Sequence, residues 1–185
     1  MNHSDLLVAR HAPPRRLVHP GPASAARIQS MQCAVGRHFR LMLQPGLSLF
    51  DALVLPLAGA GVHSASLILL GGYMARVDYC FAGPDTTGKS LAAYGQPLSA
   101  GRAYLISGSA MFGKDADGQP LVHCHAALRT EAGDIRGGHL LPRYCQVGPQ
   151  PICALVTALD GFELRVAFDA ETNLPLLQPR TRKLS

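Results

Sequence analysis

Charge is scarce in this 185-residue sequence: Asp, Glu, Lys and Arg together make up 16%, while hydrophobic residues reach 48%. That balance excludes an intrinsically disordered chain, which buries too little apolar surface to offset the entropy of ordering. A membrane-spanning run is also missing. The longest apolar stretch, Ala52 to Met74, is broken by Pro56, four glycines, His63, Ser64 and Ser66, whereas a spanning helix needs about 20 nearly uninterrupted apolar residues. Residues 1–16 hold His3, Asp5, His11 and two prolines where a secretory leader would carry its apolar core, so a cytoplasmic protein without membrane attachment is expected. The five cysteines, at 33, 80, 124, 145 and 153, form no CxxC pair. An odd, scattered set fits neither a disulfide framework nor a thiolate zinc site, and free, mostly buried thiols are expected. No GxSxG elbow or Cys-His pattern offers a covalent nucleophile, and no internal repeat is present.

What is present is turn-forming: 19 glycines and 14 prolines in a chain long enough for one domain that buries roughly 70% of its unfolded surface. Residues 1–35, rich in Ala, Pro, Arg and His, read as a flexible basic extension, 36–177 as the folded domain and 178–185 as a basic tail. The net charge of +5 is unevenly placed. Residues 1–40 carry six arginines against Asp5 alone, the last eight residues add Arg180, Arg182 and Lys183, and residues 41–177 are net −3. Any hold on DNA is therefore expected through the basic tails, salt-sensitive and poor in sequence information; solvated tails that keep the protein soluble are the competing role.

Residues 37–43 alternate as a strand, closed by a turn at Gln44-Pro45-Gly46. A helix is expected next, capped by Ser48 with Asp51 three residues on, carrying Leu49, Leu53 and Leu57 at helical spacing and ending at Gly59-Ala60-Gly61. Pro56 should kink its last turn. Strands are expected at 64–70, 73–81, 91–95 and 102–112, then a hairpin of 121–130 with 134–141, and another of 152–159 with 163–168 across Asp160-Gly161. One principal helix followed by many strands points to an α+β fold with a mainly antiparallel sheet.

Two motifs carry chemistry. Gly83-Pro84-Asp85-Thr86-Thr87-Gly88-Lys89-Ser90 matches the phosphate-loop pattern GxxxxGK[ST], which works only between a strand and a helix whose N-terminus faces the phosphates. Leu91–Tyr94 runs straight into Gly95 and Pro97, leaving room for about one helical turn, so a hairpin turn with Gly88 at positive φ is expected and a nucleotide-binding loop is the lesser alternative. The second motif is His123-Cys124-His125 with His139. Alternation puts His123 and His125 on one strand face, roughly 7 Å apart, and turns Cys124 inward. A three-residue loop with Gly133 left-handed pairs Thr130 with Asp134, which sets His125 opposite His139 and His123 opposite Leu141. His123, His125 and His139 then form a three-imidazole ligand set for a divalent metal, zinc by donor type. His63, Cys80 and Cys145 are the available further ligands, with no spacing to select among them.

Arg37-His38-Phe39-Arg40-Leu41-Met42-Leu43-Gln44-Pro45-Gly46, Gly101-Arg102-Ala103-Tyr104-Leu105-Ile106-Ser107-Gly108, His123-Cys124-His125 and Gly137-Gly138-His139-Leu140 come in an order that resembles the plant and prokaryote conserved (PPC) domain. The likeness covers about 37–177 and is that of a prokaryotic stand-alone member. It implies an α+β fold with an antiparallel sheet, a homotrimer, and a binding or regulatory role associated with DNA, since plant relatives join this domain to AT-hooks. No AT-hook occurs in this sequence. A small metal-dependent enzyme built on the same histidines is the alternative.

Overall fold

A computed structural model describes residues 17–25, 29–34 and 36–182. The arginines at 10, 15, 16 and 27, and Lys183, on which a tail-borne DNA contact would largely depend, lie outside the described residues.

The first strand, β1 (His38–Leu43), leads through a Pro45-Gly46 turn into the helix α1 (Leu49–Gly59). Ser48 caps it: its Oγ accepts the Asp51 amide at 2.9 Å and donates to the Asp51 carboxylate at 2.7 Å, as the spacing predicts. Leu49, Phe50, Leu53, Val54 and Leu57 are buried. The helix runs on past Pro56 to Gly59, and Gly61 at φ +65° turns the chain so that the Val62 amide reaches the Leu57 carbonyl.

Strands follow almost without interruption: β2 (Ala65–Leu69), β3 (Gly72–Cys80), β4 (Ala82–Pro84), β5 (Ala92–Tyr94), β6 (Leu98–Lys114), β7 (Pro120–Thr130), β8 (Ile135–Leu140), β9 (Gln146–Val147), β10 (Ile152–Ala158), β11 (Glu163–Asp169) and β12 (Leu174–Arg180). The main sheet runs β1-β10-β2-β6-β7-β8-β3-β9, and β3 also pairs with β6, so β3, β6, β7 and β8 close a ring. The seam between β3 and β8 is short, made of Tyr79 with Leu140 and Cys80 with His139. Pairing is antiparallel except where Arg165 of β11 meets Lys114 of β6. Leu43, Leu53, Leu69, Leu105, Leu128 and Leu140 are fully enclosed between α1 and the sheet. The fold is thus α+β with a mainly antiparallel sheet, as expected from one early helix and many strands.

One expectation fails, and one strand lies outside those expected. β10 does not form a hairpin with the strand after it; it pairs with β1 and β2, while β11 leaves to pair with β12 and the end of β6. The redirection has local causes. Arg37 holds Asp160 through two nitrogens at 2.7 and 2.8 Å, Ser64 Oγ accepts the Leu164 amide at 2.8 Å, and Gly113 lets β11 approach so closely that a Cβ there would sit 2.5 Å from the Leu164 carbonyl oxygen. Secondly, residues 174–180 form a strand although Pro175 and Pro179 interrupt its pattern; β12 pairs only with β11, an edge position where a missing N–H is tolerated. Within the N-terminal segment, His19 Nδ1 lies 2.6 Å from the Glu171 carboxylate, which also accepts the Ser24 amide at 2.8 Å.

Candidate metal centre

His123, His125, Ala127 and Arg129 alternate along one face of β7, while Cys124 and Leu128, both at 0% exposure, point into the core. The turn that follows sets the register. The Thr130 amide donates to the Asp134 carbonyl at 2.9 Å, the Gly133 amide to the Thr130 carbonyl at 3.0 Å, and Gly133 sits at φ +91°. As the loop length predicts, His125 then faces His139 and Ala127 faces Gly137. Leu141 does not reach His123: β8 ends at Leu140, and the Leu141 amide turns to the Asp78 carbonyl at 2.9 Å.

The glycines before His139 are required by packing. A Cβ on Gly137 would stand 2.7 Å from the Ala126 carbonyl oxygen, and one on Gly138 would stand 2.8 Å from that of Cys80. Both contacts are with backbone, so no side-chain rotation relieves them, and the glycines let β8 lie close enough to its neighbours to aim His139 at the other two rings.

The three rings converge. Their centroids are 4.7 to 5.2 Å apart, and one nitrogen from each lies within 4.8 Å of the others. The Nε2 atoms of His123 and His125 are 3.0 Å apart, close to the separation of about 3.3 Å for two imidazole nitrogens on one tetrahedral zinc. His139 Nδ1 is buried with no hydrogen-bond partner, a state that costs free energy unless something accepts or supplies a bond there. Burial, and then the two neighbouring imidazoles, lower the His139 pKa to about 4. Burial, and then His125, lower that of His123. Both rings are therefore neutral near pH 7, the form in which imidazole offers a lone pair to a metal. Donor type, convergence and the orphaned nitrogen all fit a divalent ion.

None of the other ligands open to the sequence joins this group. Cys80 is buried, with a pKa raised by that burial. Cys145 donates to the Asp78 carbonyl at 3.3 Å, and burial lifts its thiol to about 11. His63 lies among Lys114, Glu163, Arg182 and Arg37 instead. Sequence spacing could not show Tyr94, whose ring the β4–β5 hairpin brings to 4.9 Å from that of His139. A cavity of about 410 Å³ opens beside the rings, bounded by His123, His139, Tyr94, Asp117, Val166 and Leu177; the last two come from β11 and β12, the strands whose course the sequence concealed.

The phosphate-loop match is a hairpin turn. β4 and β5 pair directly, Gly88 takes φ +70°, and no helix follows. The Asp85 carboxylate accepts the amides of Thr87 and Ser90, each at 2.9 Å, and the Thr87 hydroxyl at 2.7 Å. These bonds hold its pKa at about 2 and occupy amides that a phosphate would need.

A mainly antiparallel sheet packed against the helix α1, with three imidazoles converging beside β7 and β8, is the class that fold and site define. Residues 31–155 match the model of the Plants and Prokaryotes Conserved (PCC) domain, and the chain belongs to that family. Solved structures share the fold. A metal-containing protein from Archaeoglobus fulgidus aligns with a TM-score of 0.67 at 24% identity, over 82% of this chain and 99% of its own. A plant- and prokaryote-conserved protein from Pyrococcus horikoshii gives 0.61 at 22% identity, over 83% and 100%. A presumed DNA-binding protein from Ralstonia eutropha JMP134 gives 0.61 at 20%, over 75% and 89%. No curated protein matches the chain.

Proposed function

We propose that this protein is a homotrimeric PPC-domain binding or regulatory module of the cytoplasm, with a divalent ion, zinc by donor type, held by His123, His125 and His139. The observation that carries the metal is the buried His139 Nδ1, without a hydrogen-bond partner among the described residues, beside two further imidazoles that converge on it. A zinc ion held there would supply Lewis acidity; the chain's own part is to keep His123 and His139 neutral and all three rings aimed. The description of the Archaeoglobus relative as metal-containing supports the same reading. Elemental analysis tests it: about one zinc per chain is expected in the purified protein, and His125→Ala should remove it while the far-ultraviolet circular dichroism is kept. A full metal complement in that variant would sink the site.

Self-association is supported by an uncovered apolar stretch of the sheet. Met42, Ile68, Ile106 and Leu155 are 43 to 53% exposed, and Leu155 pairs with Ile68 across β10 and β2. A second copy would cover what a lone chain leaves to water, and light scattering reads the trimer mass directly. DNA association is the family-level suggestion, supported by the relative from Ralstonia; its proposed contacts are the basic segments at the two ends of the sequence. The cavity beside His123 and His139 favours a second reading, a small zinc-type enzyme. Ester hydrolysis that rises and falls with zinc content, and that disappears in His125→Ala, would establish it.

A further inference from the structure

Four residues along β7 from His125, roughly 13 Å away, the same sheet face carries a different chemistry. Tyr73 of β3 stands directly opposite Tyr104 of β6, and Tyr104 directly opposite Arg129 of β7. Direct cross-strand partners project to the same side, so two phenol rings and a guanidinium form one row across three strands. The tyrosine rings meet edge to face with centroids 5.0 Å apart, yet Tyr73 remains 54% and Tyr104 36% exposed. They line a cavity of about 900 Å³, together with Arg102, Arg129, Glu131 and Gln146.

The frame is tightly built. A Cβ on Gly71 would sit 2.7 Å from the Tyr104 hydroxyl, and one on Gly148 only 2.3 Å from the Tyr73 carbonyl oxygen. Gln146 Nε2 donates to the Gly46 carbonyl at 2.9 Å, and the Gly148 amide to the Tyr73 carbonyl at 2.9 Å. The polar groups facing the cavity are less committed. Arg102 approaches Glu131 only to 3.7 Å, with both side chains more than 70% exposed. Neither the Arg129 side chain nor the two tyrosine hydroxyls has a side-chain hydrogen bond among the described residues, although Arg129 is paired through its backbone within the sheet. Two guanidiniums against one carboxylate leave the rim net positive.

We infer that this cavity binds a nucleotide, with the base stacked on the more exposed ring of Tyr73, Tyr104 flanking it, and the phosphate on Arg129 and Arg102. Aromatic faces accept any base by stacking, and a planar guanidinium presents the paired donors that match phosphate oxygens. The volume is in the range of small-molecule sites. The cavity is separate from the Gly83–Ser90 turn and from the histidines, and the proposal does not rest on the metal. The same chemistry suits a free nucleotide or one residue of a single strand.

The full-length protein is titrated in EDTA with AMP, with ribose 5-phosphate and with a ten-nucleotide deoxyadenosine strand, by calorimetry and by tyrosine emission, which five tyrosines and no tryptophan make a clean signal. AMP is expected to quench the emission and to bind about tenfold more tightly than ribose 5-phosphate, the loss of one stacked base. Arg129→Gln and Tyr104→Leu should each weaken AMP binding by about tenfold. Should Tyr104→Leu fail to fold, the more exposed Tyr73 and Arg102 supply Tyr73→Leu and Arg102→Gln, with the same expectation. A strand that binds more than tenfold better than AMP identifies the source as single-stranded nucleic acid; equal affinity identifies a free nucleotide. No binding of AMP or strand at millimolar concentration overturns the inference, as does binding that survives the substitutions, which would place it on the basic tails. Because chelator is present throughout, either failure leaves the zinc measurement on His125→Ala standing by itself.

Discussion

The two ends of β7 share a strand, a sheet face and a buried anchor, yet they differ in what their polar groups have lost. At the first end the rings of His123, His125 and His139 crowd one another, and burial lowers the pKa of His123 and His139. At Arg129 the side chain stands in the open beside two exposed rings. Flanking structure makes the difference. The β4–β5 hairpin places Tyr94 over the histidine end, whereas the other end is framed at its edges by β9 and the Pro45-Gly46 turn. One alternating pattern therefore yields a crowded imidazole cluster and an open groove with two guanidiniums against one carboxylate, and strand periodicity alone could not have told them apart.

The largest expected perturbation removes what the two ends have in common. Leu128 is fully buried beneath the face, and Leu128→Ala should cost about 2–5 kcal/mol, read as a lower urea midpoint with loss of both zinc retention and groove function. Gly138→Ala should separate the ends. Its methyl would meet the Cys80 carbonyl at 2.8 Å, an overpacking cost of about 1–3 kcal/mol, and zinc content should fall while the environment of Tyr104, followed by tyrosine emission, stays unchanged.

Acid should act on the histidine end first. The pKa of His139 is near 4 in the folded protein against about 6.5 unfolded, so between those values the unfolded chain binds more protons. Metal-free stability is then fully present above pH 6.5 and is lost progressively as pH falls towards 4. Urea unfolding in EDTA at pH 7, 5.5 and 4.5 should show that slope, and His139→Gln should flatten it. Smallest of all is the effect at the open end: Glu131→Gln breaks an exposed 3.7 Å pair with Arg102 and should change stability by less than about 0.5 kcal/mol. A larger loss would mean that the groove is more tightly knit than its exposure implies.

The histidine end was legible in the sequence because the pairing that brings His125 to His139 is local, although its seam with β3 is not. A three-residue loop with Gly133 counts back to His125 opposite His139, and alternation sends Cys124 inward. The helix was legible for the same reason, with Ser48 and Asp51 marking its start. The tyrosine row was hidden. It depends on pairing between β3 and β6 across some thirty residues and on a bulge between Leu105 and Ser107, neither of which leaves a mark on periodicity. β12 was hidden by Pro175 and Pro179, and the departure of β11 from β10 was hidden because Asp160-Gly161 looks like a tight hairpin turn. What diverts the chain there is a clamp from Arg37, more than a hundred residues away in sequence.

His139 belongs to the histidine cluster and also to the two-pair seam that closes the ring of β3, β6, β7 and β8. Anything that draws this residue toward His125 acts as a rivet through the weakest joint of a hoop. If an ion is held there as proposed, its binding should be felt as slower amide exchange at Tyr79 and Leu140, with β1 and β10 unmoved, and the tightness of the whole girdle should follow the available ion.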